Sequence, residues 1–218
     1  MTLISLGFLT NLADLLESPA HSDSPLSGRD LITARVRELV VMGGHYPHGG
    51  REYNFAGGDP TATRTVINGW PAAVPMTFVG YELGKDILSG GRLPQLASRE
   101  SPVLAAYQWY VGRCKTARES WDPLAVLYGA LGLGKSTVTV TEGSGGHGPL
   151  FVYGNENGYN HISENGTNTW VDDAGVTSQH WLEIGSGWDS GSISELLDRL
   201  LSLGPNDRVE REGGKDEL

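Results

Sequence analysis

Residues that could bind a polar ligand follow one short apolar run of this chain. The run occupies residues 39–42 and ends at a pair of glycines, and the segment beyond carries Glu52, Asn54 and Asp59. A buried parallel strand delivers polar groups to the carboxyl edge of an α/β sheet in this way. Glycines at the strand end let the backbone turn where a side chain would obstruct it. The segment therefore predicts a site for a polar ligand.

The same three polar residues also fit a purely structural role. Asp59 precedes Pro60 and a run rich in Ala and Thr, which is a typical helix start. Glu52 and Asn54 could belong to the cap of the same helix. The segment alone leaves both interpretations open, although loops at sheet edges carry functional residues disproportionately.

A second candidate lies in the segment of residues 120–128. Asp122 stands before Pro123 and an apolar run with helical character. Aspartate is one of the preferred residues at the N-cap of a helix, where its carboxylate accepts a backbone N–H. Taken by itself, the segment favours a cap at Asp122 over a catalytic role.

Residues 129–136 satisfy the phosphate-loop pattern GxxxxGK[ST] in full. A working phosphate loop lies between a strand and a following helix, so that backbone N–H groups meet the phosphates. Here a helix is predicted at residues 123–131, and a β-branched run follows at residues 137–141. Because this order is reversed, we interpret Gly132 and Gly134 as the C-cap of the helix.

Short strands and helices alternate along the chain and would position these residues. The pattern predicts strands at residues 3–6, 39–42 and 74–80. It predicts helices at residues 11–16, 31–37, 60–67, 101–113, 123–131 and 190–203. Such alternation is typical of a three-layer α/β fold with a mainly parallel sheet flanked by helices.

Composition excludes several classes of function. The 218 residues are 39% hydrophobic, which suits one globular domain, and we assign that domain to residues 1–205. The net charge is −10 and no basic cluster could follow a phosphate backbone, so nucleic acid is not expected as a partner. Cys114 has no metal-binding spacing and is expected to be packed. No apolar run approaches the ~20 residues of a transmembrane helix.

The two ends of the chain bear on localisation. The amino terminus lacks the basic region of a signal peptide, which makes the cytoplasm the default expectation. Residues 215–218 read KDEL, an ER retrieval signal that is read only in a form that enters the secretory pathway. In such a form we expect the ER lumen, and Asn165 would become a glycosylation acceptor. The charged tail at residues 206–218 is predicted to be disordered.

Three ordered segments resemble the inosine/uridine-preferring nucleoside hydrolases, in the fungal-type form. Residues 6–12, LGFLTNL, are similar to the family's GPLTNLA turn. Residues 41–60 carry MGG, EYN and DP where the family has MGG, EFN and DP, and residues 122–125 match its DPLA element. The resemblance covers residues 1–203 and implies the family's α/β fold, without its amino-terminal part.

The resemblance implies an activity and a set of site residues. These enzymes hydrolyse the N-glycosidic bond of purine and pyrimidine ribonucleosides to ribose and free base, as in nucleoside salvage, using a bound calcium ion. The carbonyl of Thr10 and the carboxylate of Asp122 would bind calcium, and Asp122 would thereby serve catalysis. Glu52 and Asn54 would hydrogen-bond the ribose hydroxyls, and Trp121 would contact the base.

Two departures from the family leave a second hypothesis open. The DxDxGxDD cluster, which supplies most calcium ligands and the general base, is absent from this sequence. Trp121 stands where many members have a histidine thought to protonate the base, and tryptophan is no general acid. The alternative is therefore an inactive relative that binds a nucleoside or sugar, or acts as an interaction protein. The substrate expected in either case is a small molecule, and a homo-oligomer is compatible with it.

Overall fold

The computed structural model describes residues 1–133 and 146–204. Its strands are β1 (Thr2–Ser5), β2 (Glu38–Met42), β3 (Met76–Val79), β4 (Leu88–Ser89), β5 (Arg118–Glu119), β6 (Phe151–Tyr153), β7 (Tyr159–Ile162), β8 (Asn168–Val171) and β9 (Gln179–Ile184). Its helices are α1 (Thr10–Glu17), α2 (Gly28–Arg35), α3 (Tyr53–Ala56), α4 (Pro60–Gly69), α5 (Tyr81–Gly84), α6 (Leu93–Leu96), α7 (Pro102–Tyr110), α8 (Trp121–Leu131) and α9 (Ser190–Ser202). The strand predicted at residues 137–141 and the tail at residues 206–218, with its KDEL, lie outside the described ranges.

The central sheet has the order β1-β2-β3-β9-β6. The first four of these strands are parallel, and β6 pairs antiparallel with β9 at one edge. Leu39 pairs with Met76 and Val41 with Phe78, which sets the register of β2 against β3. Helices cover both faces, so the predicted three-layer α/β fold with a mainly parallel sheet is confirmed.

Strand β2 is buried on both of its faces. Leu39 and Val41 enter one hydrophobic core, while Val40 and Met42 enter the other, and none of the four is more than 4% exposed. Helices α1, α2 and α4 contribute to the first core, and α8 and α9 contribute to the second. Alternating side chains of a strand point to opposite faces, so an uninterrupted apolar run marks a strand covered on both sides.

The start of α8 differs from the prediction. Ser120 occupies the position before the helix, and Asp122 lies within the first turn, so the N-cap predicted at Asp122 is wrong. Contacts with α5 hold this helix start: the Nε1–H of Trp121 donates to the carbonyl of Tyr81 at 2.7 Å, and the N–H of Ser120 donates to the carbonyl of Gly84 at 3.2 Å. These contacts join residues far apart in the sequence, so the local sequence pattern does not predict them.

The end of α8 agrees with the prediction. Gly132 is the C-cap with a φ of 68°, and its N–H donates to the carbonyl of Tyr128 at 2.7 Å. A positive φ is accessible to glycine at little cost, which explains the residue type. Gly134 and the rest of the phosphate-loop pattern lie outside the described residues.

Two further observations concern the surface. Cys114 is exposed, so the prediction that it is packed is wrong. The reason is that α7 ends at Tyr110 and leaves Cys114 in the turn that follows. Within residues 1–133 and 146–204, no helix combines the length and apolar character needed to cross a membrane.

Candidate functional site

The carboxyl ends of β2 and β3 are tied together by their own backbones. The N–H of Gly43 donates to the carbonyl of Val79 at 3.0 Å, and the N–H of Tyr81 donates to the carbonyl of Gly44 at 2.9 Å. Gly44 has a φ of 84°, which turns the chain away from the sheet and is strained for other residue types. This edge is where a doubly wound sheet places its ligands.

Glu52 closes the loop that leaves β2. Its side chain is buried, and its Oε2 accepts the N–H of Gly44 at 3.3 Å and that of Phe55 at 3.2 Å. The second contact makes Glu52 the N-cap of α3. Among the described residues, Oε1 makes no hydrogen bond. Glu52 therefore caps a helix and still has an acceptor oxygen to offer to a ligand.

The two other polar residues of this segment have different roles. Asn54 donates its amide N–H to the carbonyl of Met42 at 3.2 Å, which fixes the side chain against the end of β2. Asp59 is the N-cap of α4, where its carboxylate accepts N–H groups of Thr61 and Ala62 at 2.9 and 3.1 Å. The helix-cap interpretation is thus confirmed for Asp59. For Asn54 the amide oxygen is left as an acceptor, because only the nitrogen is used within the described part of the chain.

Trp121 and Asp122 reach the same edge from the first turn of α8. The indole of Trp121 stacks on the ring of Tyr81 with 5.4 Å between centroids and 27° between planes. Although Asp122 is exposed over much of its surface, desolvation of its carboxyl group raises its pKa. Nearby Arg118 opposes that rise, and the negative charge of Glu52 adds to it. The carboxylates of Glu52 and Asp122 therefore lie within electrostatic reach of each other.

Thr10 lies at the start of α1, after the strand β1 that pairs with β2 in the sheet. Two positions before it, the ring of Phe8 contacts the ring of Tyr53 at 5.6 Å, which brings the β1–α1 turn against α3. The structure therefore places Glu52, Asn54, Trp121 and Asp122 around the ends of β2 and β3, and it places Thr10 after the neighbouring strand β1. It shows no direct contact between Thr10 and Asp122.

These residues do not make up a complete metal site. Within the described ranges, no group of three or more His, Cys, Asp or Glu side chains could hold a metal ion. Calcium takes six to eight oxygen ligands, whereas Thr10 and Asp122 would supply one carbonyl and one carboxylate. As the first residue of α1, Thr10 also has its carbonyl in the helical hydrogen-bond ladder, with one lone pair to spare.

Two residues at this edge belong to no sequence motif. His45 follows the glycine pair, and its Nδ1 lies 2.7 Å from Oε1 of Glu82, near the start of α5. The residues are 37 positions apart in the sequence, so no motif connects them. A signal was available, because each residue comes just after the end of a predicted strand.

A cavity of about 490 Å³ lies outside the group of predicted site residues. It is lined among others by Pro47, Trp170, Asp172 and Trp181, and by none of the predicted site residues. The cavity is not the site to which the sequence motifs point.

Comparison with solved structures gives the fold a name. A plant nucleoside hydrolase superposes with a TM-score of 0.59 over 93% of this chain, at 18% sequence identity. The fold is that of a nucleoside hydrolase. An inosine-uridine preferring nucleoside hydrolase from Bacillus anthracis gives a TM-score of 0.51 over 91% of the chain, also at 18% identity.

The likeness covers only part of each of the two neighbours. This chain spans 62% of the plant enzyme and 60% of the bacterial one. No family model matches the sequence, and no curated protein matches it. The likeness to nucleoside hydrolases therefore rests on structure, and identity at this level establishes the fold alone.

Proposed function

We propose that this chain is a nucleoside hydrolase-like protein, hydrolysing the N-glycosidic bond of ribonucleosides to ribose and free base. One observation carries the proposal: the carboxylates of Glu52 and Asp122 interact electrostatically at the sheet edge, where the rings of Tyr81 and Trp121 are stacked. Two carboxylates suit a sugar, and an aromatic face suits a base. The nucleoside hydrolase fold is consistent with this pairing.

The ribose would be held by the loop after β2. Glu52 is anchored through Oε2 alone, and Asn54 through its amide nitrogen alone. The remaining oxygens, Oε1 and Oδ1, are acceptors for the hydroxyl groups of a sugar. Both side chains are fixed by the protein before a ligand arrives, which lowers the entropic cost of binding.

The charge of this edge suits the chemistry. Cleavage of an N-glycosidic bond passes through a ribose with oxocarbenium character, which carries positive charge. Desolvation raises the pKa of Asp122 most, Arg118 opposes the rise, and the negative charge of Glu52 adds to it, so two carboxyl groups and one cation share this edge. A developing positive charge on the sugar would relieve that repulsion, and the transition state would bind more tightly than the substrate.

The base would lie against Trp121. Its indole is held at the edge by the hydrogen bond to the Tyr81 carbonyl and by the stacking of the two rings. Stacking on an aromatic side chain is worth about 1–3 kcal/mol per base and accepts any base. Trp121 would therefore bind the base without selecting purine or pyrimidine.

Calcium enters the proposal through the family resemblance. Thr10 and Asp122 would be two of its ligands, and bound calcium in such enzymes orients the attacking water. The described residues offer no complete shell. We therefore assign the binding of ribose and base to this chain's own residues. We further propose that the domain comprises residues 1–205 and that residues 206–218 form a tail.

Two measurements on the purified chain test the proposal against its alternative. Release of ribose from inosine or uridine, followed with calcium and with a chelator, reports hydrolysis. Titration calorimetry with the same nucleosides reports binding. Ribose release that is lost in Asp122→Asn supports the proposed hydrolase. Binding without release indicates the inactive relative, and the absence of both rejects each of the two functions.

A further inference from the structure

A carboxylate–imidazole pair stands at the same edge and has no part in the family motifs. Nδ1 of His45 lies 2.7 Å from Oε1 of Glu82, and the His45 side chain is 27% exposed. Nε2 of His45 makes no hydrogen bond within the described residues and is not among the buried unpaired atoms. A carboxylate on one ring nitrogen fixes the imidazole and directs the other nitrogen to solvent or a ligand.

The backbone of His45 is clamped by a buried amide. Asn168, in β8, is 0% exposed, and its Oδ1 accepts the N–H of His45 at 2.9 Å. Its Nδ2 donates to the carbonyl of His45 at 3.0 Å. The backbone of Asn168 also exchanges two hydrogen bonds with Gly50, at the far end of the same loop. One buried residue thus holds both ends of the loop.

Tyr46 is fixed from two directions as well. Its N–H donates to Oε2 of Glu82 at 3.0 Å, and its hydroxyl accepts the amide of Asn160 at 2.7 Å. Asn160 also accepts from Asn168, which links the two clamps. Buried polar groups are costly unless every member is paired, and paired networks hold one geometry. The loop is therefore rigid where His45 leaves it.

An aromatic row connects His45 to the candidate base site. The ring of Tyr81 lies 5.0 Å from that of His45 and 5.4 Å from that of Trp121. On the ribose side, Gly44 precedes His45 and donates its N–H to Glu52. His45 therefore contacts Tyr81, the stacking partner of Trp121, and it is bonded in sequence to Gly44, which Glu52 holds.

We propose that His45 donates the proton that the leaving nucleobase needs, and that Glu82 and Asn168 position it. The inference rests on the proposed function. As the C1′–N bond breaks, its electron pair passes to the base, and the Nε2 proton of the imidazolium passes to a base nitrogen. The oxygen of a water molecule bonds to C1′, that water releases a proton to solvent, and His45 regains one from solvent.

The state of Glu82 supports this role. Partial burial opposes ionisation of the carboxyl group, but the Tyr46 N–H and the His45 ring outweigh it, so the pKa of Glu82 is lowered. Glu82 is therefore a carboxylate at neutral pH and can face an imidazolium. General acid catalysis of this kind contributes about 10²–10⁴-fold to a rate.

The first test compares two leaving groups. We expect His45→Gln to slow hydrolysis of inosine by about 10²-fold or more, and to leave p-nitrophenyl riboside hydrolysis within a few fold, because p-nitrophenolate departs without a proton. His48→Gln, an exposed histidine of the same loop, is the matched control and should change neither rate. Equal loss on both substrates, or no loss on inosine, overturns the inference.

The second test needs no turnover. The wild-type chain is labelled with ¹⁵N at its 6 histidines, and His45→Gln assigns the signal of His45. We expect hypoxanthine and inosine to shift the Nε2 resonance of His45, ribose to leave it in place, and Glu82→Gln to change the Nδ1–H signal. If the Nε2 resonance of His45 does not shift when a base binds, the inference is overturned.

The two tests separate this inference from the proposed function. If the wild type hydrolyses both substrates and His45→Gln does the same, the proposed function stands and the role of His45 is rejected. If the wild type hydrolyses neither, hydrolysis is rejected, and the NMR titration decides whether His45 contacts the base. A chain that binds no base at all overturns the inference in every form.

Discussion

Oε2 of Glu52 accepts the N–H of Gly44 at 3.3 Å, and this bond closes the loop that leaves β2 onto the strand end. The same oxygen accepts the N–H of Phe55 and caps α3. A single buried atom therefore sets the entry and the exit of the loop. The other oxygen of the carboxylate is left for the proposed ribose contact.

Removing this carboxylate should reduce both stability and binding. Glu52→Ala leaves two backbone N–H groups unpaired, which costs about 1–3 kcal/mol for a buried donor. Glu52→Gln keeps an acceptor oxygen and should lose less, while both variants lose nucleoside affinity. Urea unfolding and calorimetric titration with inosine measure the two effects. Unchanged affinity in both folded variants would remove Glu52 from the proposed site.

Asp122→Asn should stabilise the fold at neutral pH and abolish ribose release. The folded state raises the pKa of Asp122, so it holds the proton more firmly than the unfolded chain does. Stability associated with this group is present below the unfolded pKa, about 3.9, and falls as pH rises through the higher folded pKa. Asp122→Asn has no ionisable group at this position, so it does not lose stability in this way as the pH rises.

Thermal unfolding at two pH values tests that sign. The melting temperature of Asp122→Asn should exceed that of the wild type at pH 7 and equal it below about pH 3.5, given the ordinary carboxyl pKa. The gain should stay below about 1 kcal/mol, because water screens a partly exposed charge. A variant less stable than the wild type at pH 7 contradicts the electrostatic account of this edge.

Trp121→Ala should weaken nucleoside binding about tenfold and leave ribose binding unchanged. Loss of one stacking partner costs about 1–3 kcal/mol per base. Trp109→Ala is the matched control, since Trp109 is 90% exposed on α7 and should alter neither affinity. Competition binding with inosine and ribose makes the comparison. An equal loss for ribose and inosine would indicate a general disturbance of the site.

Asn168→Ala should destabilise the protein far more than a neighbouring substitution. It removes both side-chain hydrogen bonds to the partly buried His45 backbone, at up to about 1–3 kcal/mol for each group left unpaired. Glu164→Ala, in the turn of the same hairpin, should stay within about 0.5 kcal/mol, because its side chain is 93% exposed and forms only a surface ion pair with Arg64 at 3.7 Å. Chemical denaturation of the two variants gives the difference. Similar effects would mean that the clamp contributes little.

The sequence predicted local features better than long-range ones. The apolar run at residues 39–42 predicted a doubly buried strand, because both cores need apolar side chains from β2. The sequence predicted Asp59 and Gly132 as helix caps, because a helix cap depends mainly on neighbouring residues. These features follow from backbone geometry within one or two turns.

Other parts of the site depended on contacts that no local pattern encodes. Trp121 starts α8 and donates its indole N–H to the carbonyl of Tyr81, 40 positions away in the sequence, and Asp122 lies in the first turn instead of at the predicted cap. His45 and Glu82 meet only because β2 and β3 are neighbours in the sheet. The order of strands in the sheet brings such residues together, and that order cannot be predicted from either segment alone.

The central claim is that this chain cleaves ribonucleosides at the edge formed by Glu52, Asp122 and Trp121. The most direct test incubates the purified chain with inosine and calcium and follows ribose and hypoxanthine together by proton NMR. The account predicts the two products in equal amounts, and no product above the uncatalysed rate with Asp122→Asn. Inosine that binds the wild type and stays intact would contradict the claim.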